Sequence, residues 1–134
     1  MKYFTPKELR IVGAPVEIQA NMRLLVDKVL DPLREKVGAI IVNSGYRSPE
    51  YNMKVGGVPT SQHCKGQAAD IVFKTANIDE VFALIRRELS FDQVILENSD
   101  NGSRWIHVSY SKNGNRRQAL IAKKINGKWE YTPA

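Results

Sequence analysis

Two short apolar runs, Ala39-Ile40-Ile41-Val42 and Ala68 to Phe73, flank a polar stretch from Asn43 to Gly66 that carries Pro49, Gly56, Gly57 and Pro59. This stretch constrains the fold more than any other feature. A chain of 134 residues makes one compact domain, so residues 1–134 are expected to be a single unit. A loop this long inside so small a domain is either functional or disordered. The sequence on both sides of it is dense with regular elements. Thr5-Pro6-Lys7-Glu8 has the capping-box pattern with Pro at the first helical position, which predicts a helix start. Ile18, Met22, Leu25, Val26 and Val29 recur at spacings of three and four, predicting a helix with one buried stripe. Asp31-Pro32 kinks or divides that helix and Gly38 ends it.

Beyond the loop, Ala68 to Phe73 reads as a strand, and Asn77-Ile78-Asp79-Glu80 caps a helix over residues 78–89. Phe91 to Glu97, Trp105 to Tyr110 and Gln118 to Ile125 read as strands. Asn126-Gly127 predicts a tight hairpin into a last strand, Lys128 to Thr132. The order predicts an α+β fold: a mainly antiparallel sheet, N-terminal helices, one inserted helix, then a meander.

Composition narrows the function classes. No apolar run approaches the roughly 20 residues that cross a bilayer, so no membrane insertion is expected. The single cysteine, Cys64, excludes an internal disulfide and a cysteine-based zinc cage. Cys64 adjoins His63, but neighbouring side chains of an extended loop diverge, so it reads as a packing residue rather than a nucleophile. The net charge of +6 suits polyanionic partners, yet the basic residues look scattered, with no long run. No basic–aromatic stripe stands out, and nucleic acid is not an expected partner. The opening residues lack the apolar core and cleavage site of a secretory signal. Cytoplasmic synthesis of a monomer is therefore expected, with any extracellular action following release or another export route.

The chain has only two histidines. His63 lies in the polar loop Thr60-Ser61-Gln62-His63-Cys64-Lys65-Gly66, and Asp70 follows at the start of an apolar strand. A carboxylate entering an apolar strand is costly unless it is paired, hydrogen-bonded or bound to metal. His107 lies in mid-strand among apolar neighbours. Two imidazoles and a carboxylate form the usual protein ligand set of a catalytic zinc site, with water in the fourth position. The spacing alone does not decide this. A strand histidine can instead bond a backbone carbonyl, and Asp70 can cap a turn or pair with Arg47.

Three segments in order carry a resemblance. Ser61-x-His63-x-x-Gly66-x-Ala68-x-Asp70, Ser44-Gly45-Tyr46-Arg47-Ser48 and Trp105-Ile106-His107-Val108-Ser109 resemble motifs of the M15 metallopeptidases. That group includes zinc D-Ala-D-Ala carboxypeptidases and phage endolysins. The opening residues and the first helix also resemble its short, single-domain branch, which has the hedgehog/DD-peptidase fold. The resemblance implies one Zn2+ held by His63, Asp70 and His107, and a peptidoglycan stem peptide as substrate. It also implies that Arg47 binds or polarises the substrate near the scissile carbonyl, and that Ser61 hydrogen-bonds close to the metal loop or the substrate. Tyr46 and Trp105 are candidates to line a substrate groove, with a place in the core as the alternative for either.

A zinc peptidase also needs a base for its water. Many family members carry a glutamate three residues before the last histidine, where this chain has Arg104. Glu97 is the favoured replacement. If the strands holding it and His107 pair antiparallel, alternation puts Gln93, Ile95 and Glu97 on one face and Trp105, His107 and Ser109 on one face. Should those faces coincide, Glu97 sits beside the metal. Asp100, in the connecting turn, is the reserve. The expected function is zinc-dependent hydrolysis of a peptidoglycan peptide bond, by a D-Ala-D-Ala carboxypeptidase or an L-Ala-D-Glu-type endopeptidase. The alternative is a non-catalytic, zinc-stabilised module that binds cell wall or protein.

Overall fold

A computed structural model describes every residue from Met1 to Ala134. The N-terminal capping box forms: Thr5 N donates to Glu8 Oε1 at 2.8 Å and Glu8 N to Thr5 Oγ1 at 3.3 Å. No helix follows, because Arg10 takes a left-handed conformation (φ 62) and closes a single turn. The predicted stripe then forms a continuous helical rod. Helix α1 spans Val16–Leu25, a π-helical turn spans Val26–Leu30, and α2 spans Asp31–Val37. Pro32 explains the wide turn. Proline has no N–H and its ring crowds the carbonyl four residues back. The rod relaxes to an i→i−5 pattern, in which Asp31 N donates to Val26 O, and continues without breaking. Gly38 ends it at φ 84.

Strand β1 is Ile40–Ser44. The polar stretch that follows is more ordered than its composition suggests. It holds a short helix, α3 (Pro49–Lys54), and a 3-10 turn at Gln62–Lys65. Ser48 caps α3 by accepting from Tyr51 N, and Pro49 occupies the first helical position. Then come β2 (Ala68–Phe73), α4 (Ile78–Glu88), β3 (Gln93–Asn98), β4 (Arg104–Ser109), β5 (Gln118–Ile125) and β6 (Lys128–Pro133).

The fold is α+β, with one six-stranded sheet in the order β1-β2-β4-β3-β5-β6. Every neighbouring pair is antiparallel except β3 and β5. The expected meander is therefore corrected: residues 110–117 carry the chain past the start of β3, and β5 joins its free side in parallel. Asp92 pins that crossing. Its carboxylate accepts from Arg116 N, Nε and Nη2 at 2.7, 3.1 and 2.9 Å, and its carbonyl accepts from Gln118 N at 2.9 Å. Arg117 then donates to the Leu89 and Arg86 carbonyls at the end of α4.

Alternation along the strands sorts the sheet into two faces. Ala69, Ile71, Val94, Leu96, Ile106 and Val108 join Met22, Leu25, Val26, Val29, Val81 and Ile85 of the helices in the buried core. The opposite face carries Asp70, Ile95, Glu97, Trp105 and His107 and is left open as the floor of a cleft.

Candidate active site

The register of three strands builds the centre of this face. Asp70 lies directly across from His107, Ile95 across from His107 on its other side, and Glu97 across from Trp105. The two alternating sets, Gln93-Ile95-Glu97 and Trp105-His107-Ser109, thus share one face. His63 comes from the 3-10 turn. Ser61 caps that turn by accepting from His63 N at 3.2 Å. Gly66 ends it at φ 71, where a Cβ would meet Ile18 O at 2.6 Å, so both the backbone conformation and the packing call for glycine.

His63, Asp70 and His107 offer donor atoms that all lie within 4.8 Å of one another. Asp70 Oδ1 is 3.2 Å from His63 Nε2 and 3.1 Å from His107 Nδ1. The other ring nitrogen of His63, Nδ1, sits 2.9 Å from Gly45 O, a contact in which it donates. That bond leaves the Nε2 lone pair facing Asp70 and His107, the arrangement that metal-binding imidazoles use. Gly45 can present its carbonyl there because it packs on the N-terminal turn, where a Cβ would lie 2.4 Å from Leu9 O. Two nitrogens and an oxygen converging on one point, with an open cleft on one side, fit a divalent zinc-type ion.

Arg47 forms the adjoining wall. Its Nε donates to Ser44 Oγ at 3.0 Å, Nη1 to Asn52 Oδ1 at 3.4 Å and Nη2 to Asp70 Oδ2 at 3.3 Å. Three of the five guanidinium N–H groups are therefore used, and two remain for a ligand in the cleft. Asn52, almost fully buried, donates in turn to Val58 O and shapes the loop.

The electrostatics separate the two carboxylates. Burial alone would raise Asp70, but the His107 and His63 rings that face it outweigh burial and hold the carboxyl well below the usual range. Glu97 goes the other way, pushed up to about 7 by burial first and by the Asp70 charge second. Trp105 Nε1 donates to Glu97 Oε2. One carboxylate is thus kept ionised among the ligand atoms. The other is poised to exchange a proton near neutrality, the division of labour that hydrolytic chemistry uses.

The cleft has a volume of about 620 Å³. One wall is the loop Val55–Gln62 and the other is the β5–β6 hairpin, through Trp129 and Tyr131. Arg47, Ser61, His63, Asp70, Glu97, Trp105 and His107 all line it. Tyr46 does not: it packs against the hydrophobic core, away from its expected place at a groove. Asp100 stays exposed at the tip of the β3–β4 turn, outside the cleft lining. Asn52, Trp129 and Tyr131 escaped the sequence reading. The Ser48-Pro49 cap could have flagged the helix that carries Asn52, whereas the two aromatics follow only from the strand order.

No curated protein matches the chain. A family model described as Peptidase M15 matches residues 2–109, which include all three donor residues, Arg47 and Glu97. The chain belongs to the peptidase M15 family and is a peptidase.

Proposed function

We propose that this protein is a zinc peptidase that hydrolyses a peptide bond in peptidoglycan stem peptides, reaching the cell wall after release or export. The carrying observation is the convergence of His63, Asp70 and His107 on one cleft that also holds Glu97. These three residues would hold the zinc. When bound, the ion supplies an acidic water and polarises the scissile carbonyl.

The chain's own residues do the rest. Glu97, held by Trp105 and poised near neutrality, takes a proton from the attacking water and passes it to the leaving amine. Arg47 turns its two unused N–H groups toward the carbonyl oxygen and steadies the negative charge that grows there. Its bond to Asp70 fixes its direction, and Ser61 shapes the loop that presents His63. The cleft of about 620 Å³ around the centre has room for a short peptide.

The test is direct. Zinc-loaded protein is incubated with purified peptidoglycan and the soluble fragments are identified by mass spectrometry. Cleavage at one stem-peptide bond, lost in Glu97→Gln, is expected. Absence of any released fragment from a protein holding one equivalent of zinc would overturn the enzyme in favour of a binding module.

A further inference from the structure

Trp129 lies in β6, beyond the residues that the family model matches. We propose that it is a positioning residue for the catalytic carboxyl, acting on Glu97 through Trp105. The inference rests on the reading of Glu97 as the base.

The register makes the contact unexpected. Trp105, Glu97, Ala122 and Tyr131 form one cross-strand row, and Trp129 stands two rows along, opposite Lys124. Strands β4 and β6 are three spacings apart, roughly 14 Å at the usual strand separation. Yet the indoles of Trp105 and Trp129 meet with centroids 5.8 Å apart and planes at 76°, an edge-to-face pair. They do so only by leaning toward each other above β3 and β5. The small side chain of Ala122 keeps the space beneath them clear.

This contact fixes the group that holds Glu97. Trp105 Nε1 donates to Glu97 Oε2, and the indole must keep one rotamer to do so. Trp105 lines the cleft and is only partly buried, so the core does not enclose its ring. Trp129 supplies the restraint by closing the sector into which it would swing. Edge-to-face packing suits the role, because it is directional where aliphatic packing is not. The hairpin is therefore part of the working site, and the base is aimed by a strand that contributes no group to the reaction.

The experiment compares Trp129→Phe, Trp129→Leu and Trp129→Ala as zinc-loaded proteins. Phe keeps an aromatic edge, Leu keeps bulk alone, and Ala keeps neither. Expected is a tenfold to hundredfold fall in kcat for Ala and Leu with KM little changed, and recovery to within threefold in Phe. Equal kcat in all three, or an effect confined to KM, overturns the proposal and makes Trp129 merely a substrate wall.

A second measurement needs no turnover. The chain has two tryptophans, so each variant leaves Trp105 as the sole tryptophan, which can be excited apart from the tyrosines. Adding Glu97→Gln should shift Trp105 emission in the Phe background and leave it unchanged in the Leu background. A shift of the same size in both overturns the proposal, even if the wild type cleaves nothing and the base reading fails. Loss of the shift in Leu alone, without wild-type cleavage, keeps the positioning contact and rejects only the peptidase chemistry. Should Ala fail to fold, the Phe and Leu pair still decides.

Discussion

Burial and the nearby Asp70 charge make Glu97 bind its proton more tightly in the folded chain than in the unfolded one. Folding stability therefore includes a contribution that is whole below about 4.5 and is lost as the pH rises to about 7. Glu97→Gln cannot ionise and escapes that loss. In the metal-free protein the variant should gain on the wild type across this window, by up to roughly 3 kcal/mol in thermal or denaturant melts. A constant difference would mean that the carboxyl is well solvated. A bound divalent ion opposes the effect, because it favours the carboxylate. In turnover, Glu97→Gln should cost about 10²–10⁴ in kcat with zinc content unchanged. Asp100→Asn, at the exposed turn, should be silent; if the two results are exchanged, the base is misassigned. Arg47 serves three acceptors at different angles, which one ammonium cannot match. Arg47→Lys should keep zinc and lose most of kcat/KM, and unchanged kinetics would make Arg47 structural. At this scale the sequence was readable where a residue type was costly in its surroundings. Asp70 in an apolar strand and a histidine among aliphatics drew notice because burying them demands partners. The place of Tyr46 stays open in the sequence because an aromatic beside a motif serves a core and a groove equally well, and it packs against the core.

Among the elements, periodicity located β2, α4 and β5 almost to the residue, since each has one buried face and a clear boundary signal. The coincidence of the Glu97 and His107 faces was also legible, because a turn-rich connection between two alternating strands leaves little but antiparallel pairing. Where the sequence misled, local signals competed with tertiary ones. The Thr5-Glu8 box formed its hydrogen bonds, yet Arg10 turned the chain to pack Leu9 against Gly45. The crossing before β5 depends on Asp92, whose partners Gln62 and Arg116 are distant in sequence. Asp92 is 4% exposed, so a change there cannot be relieved by water. Asp92→Asn weakens the charge-assisted bonds to Arg116 and should cost roughly 2 kcal/mol in denaturant unfolding. A cost near zero would show that the crossing is held by Arg117 and the backbone bond from Gln118 to the Asp92 carbonyl.

At the level of the whole molecule, the charge is less scattered than the composition suggested. Beyond the family match, Lys112, Arg116, Arg117, Lys123, Lys124 and Lys128 face a single acid, Glu130, so most of the +6 resides in this segment. Arg116 and Arg117 are committed to holding the crossing, whereas Lys123, Lys124 and Lys128 cluster at the hairpin tip. No helix is long and apolar enough to cross a membrane. Metal should stabilise the entire domain, because the donors come from β2, β4 and the 3-10 turn and exist together only when the chain is folded. Chelation should lower Tm, and zinc at a hundredfold excess over its Kd should restore about 2.7 kcal/mol. A Tm insensitive to chelator would count against the site. The parallel pairing of β3 with β5 also sets an order of assembly. β5 can dock only along the side of β3 that β4 leaves free, and β6 only on β5. On the proposed reading, the three donor residues all precede β5, whereas Trp129 stands on the strand that docks last. Folding in that order gathers the donors while Glu97 is still unaimed, and competence arrives as a late, discrete event when the final hairpin closes.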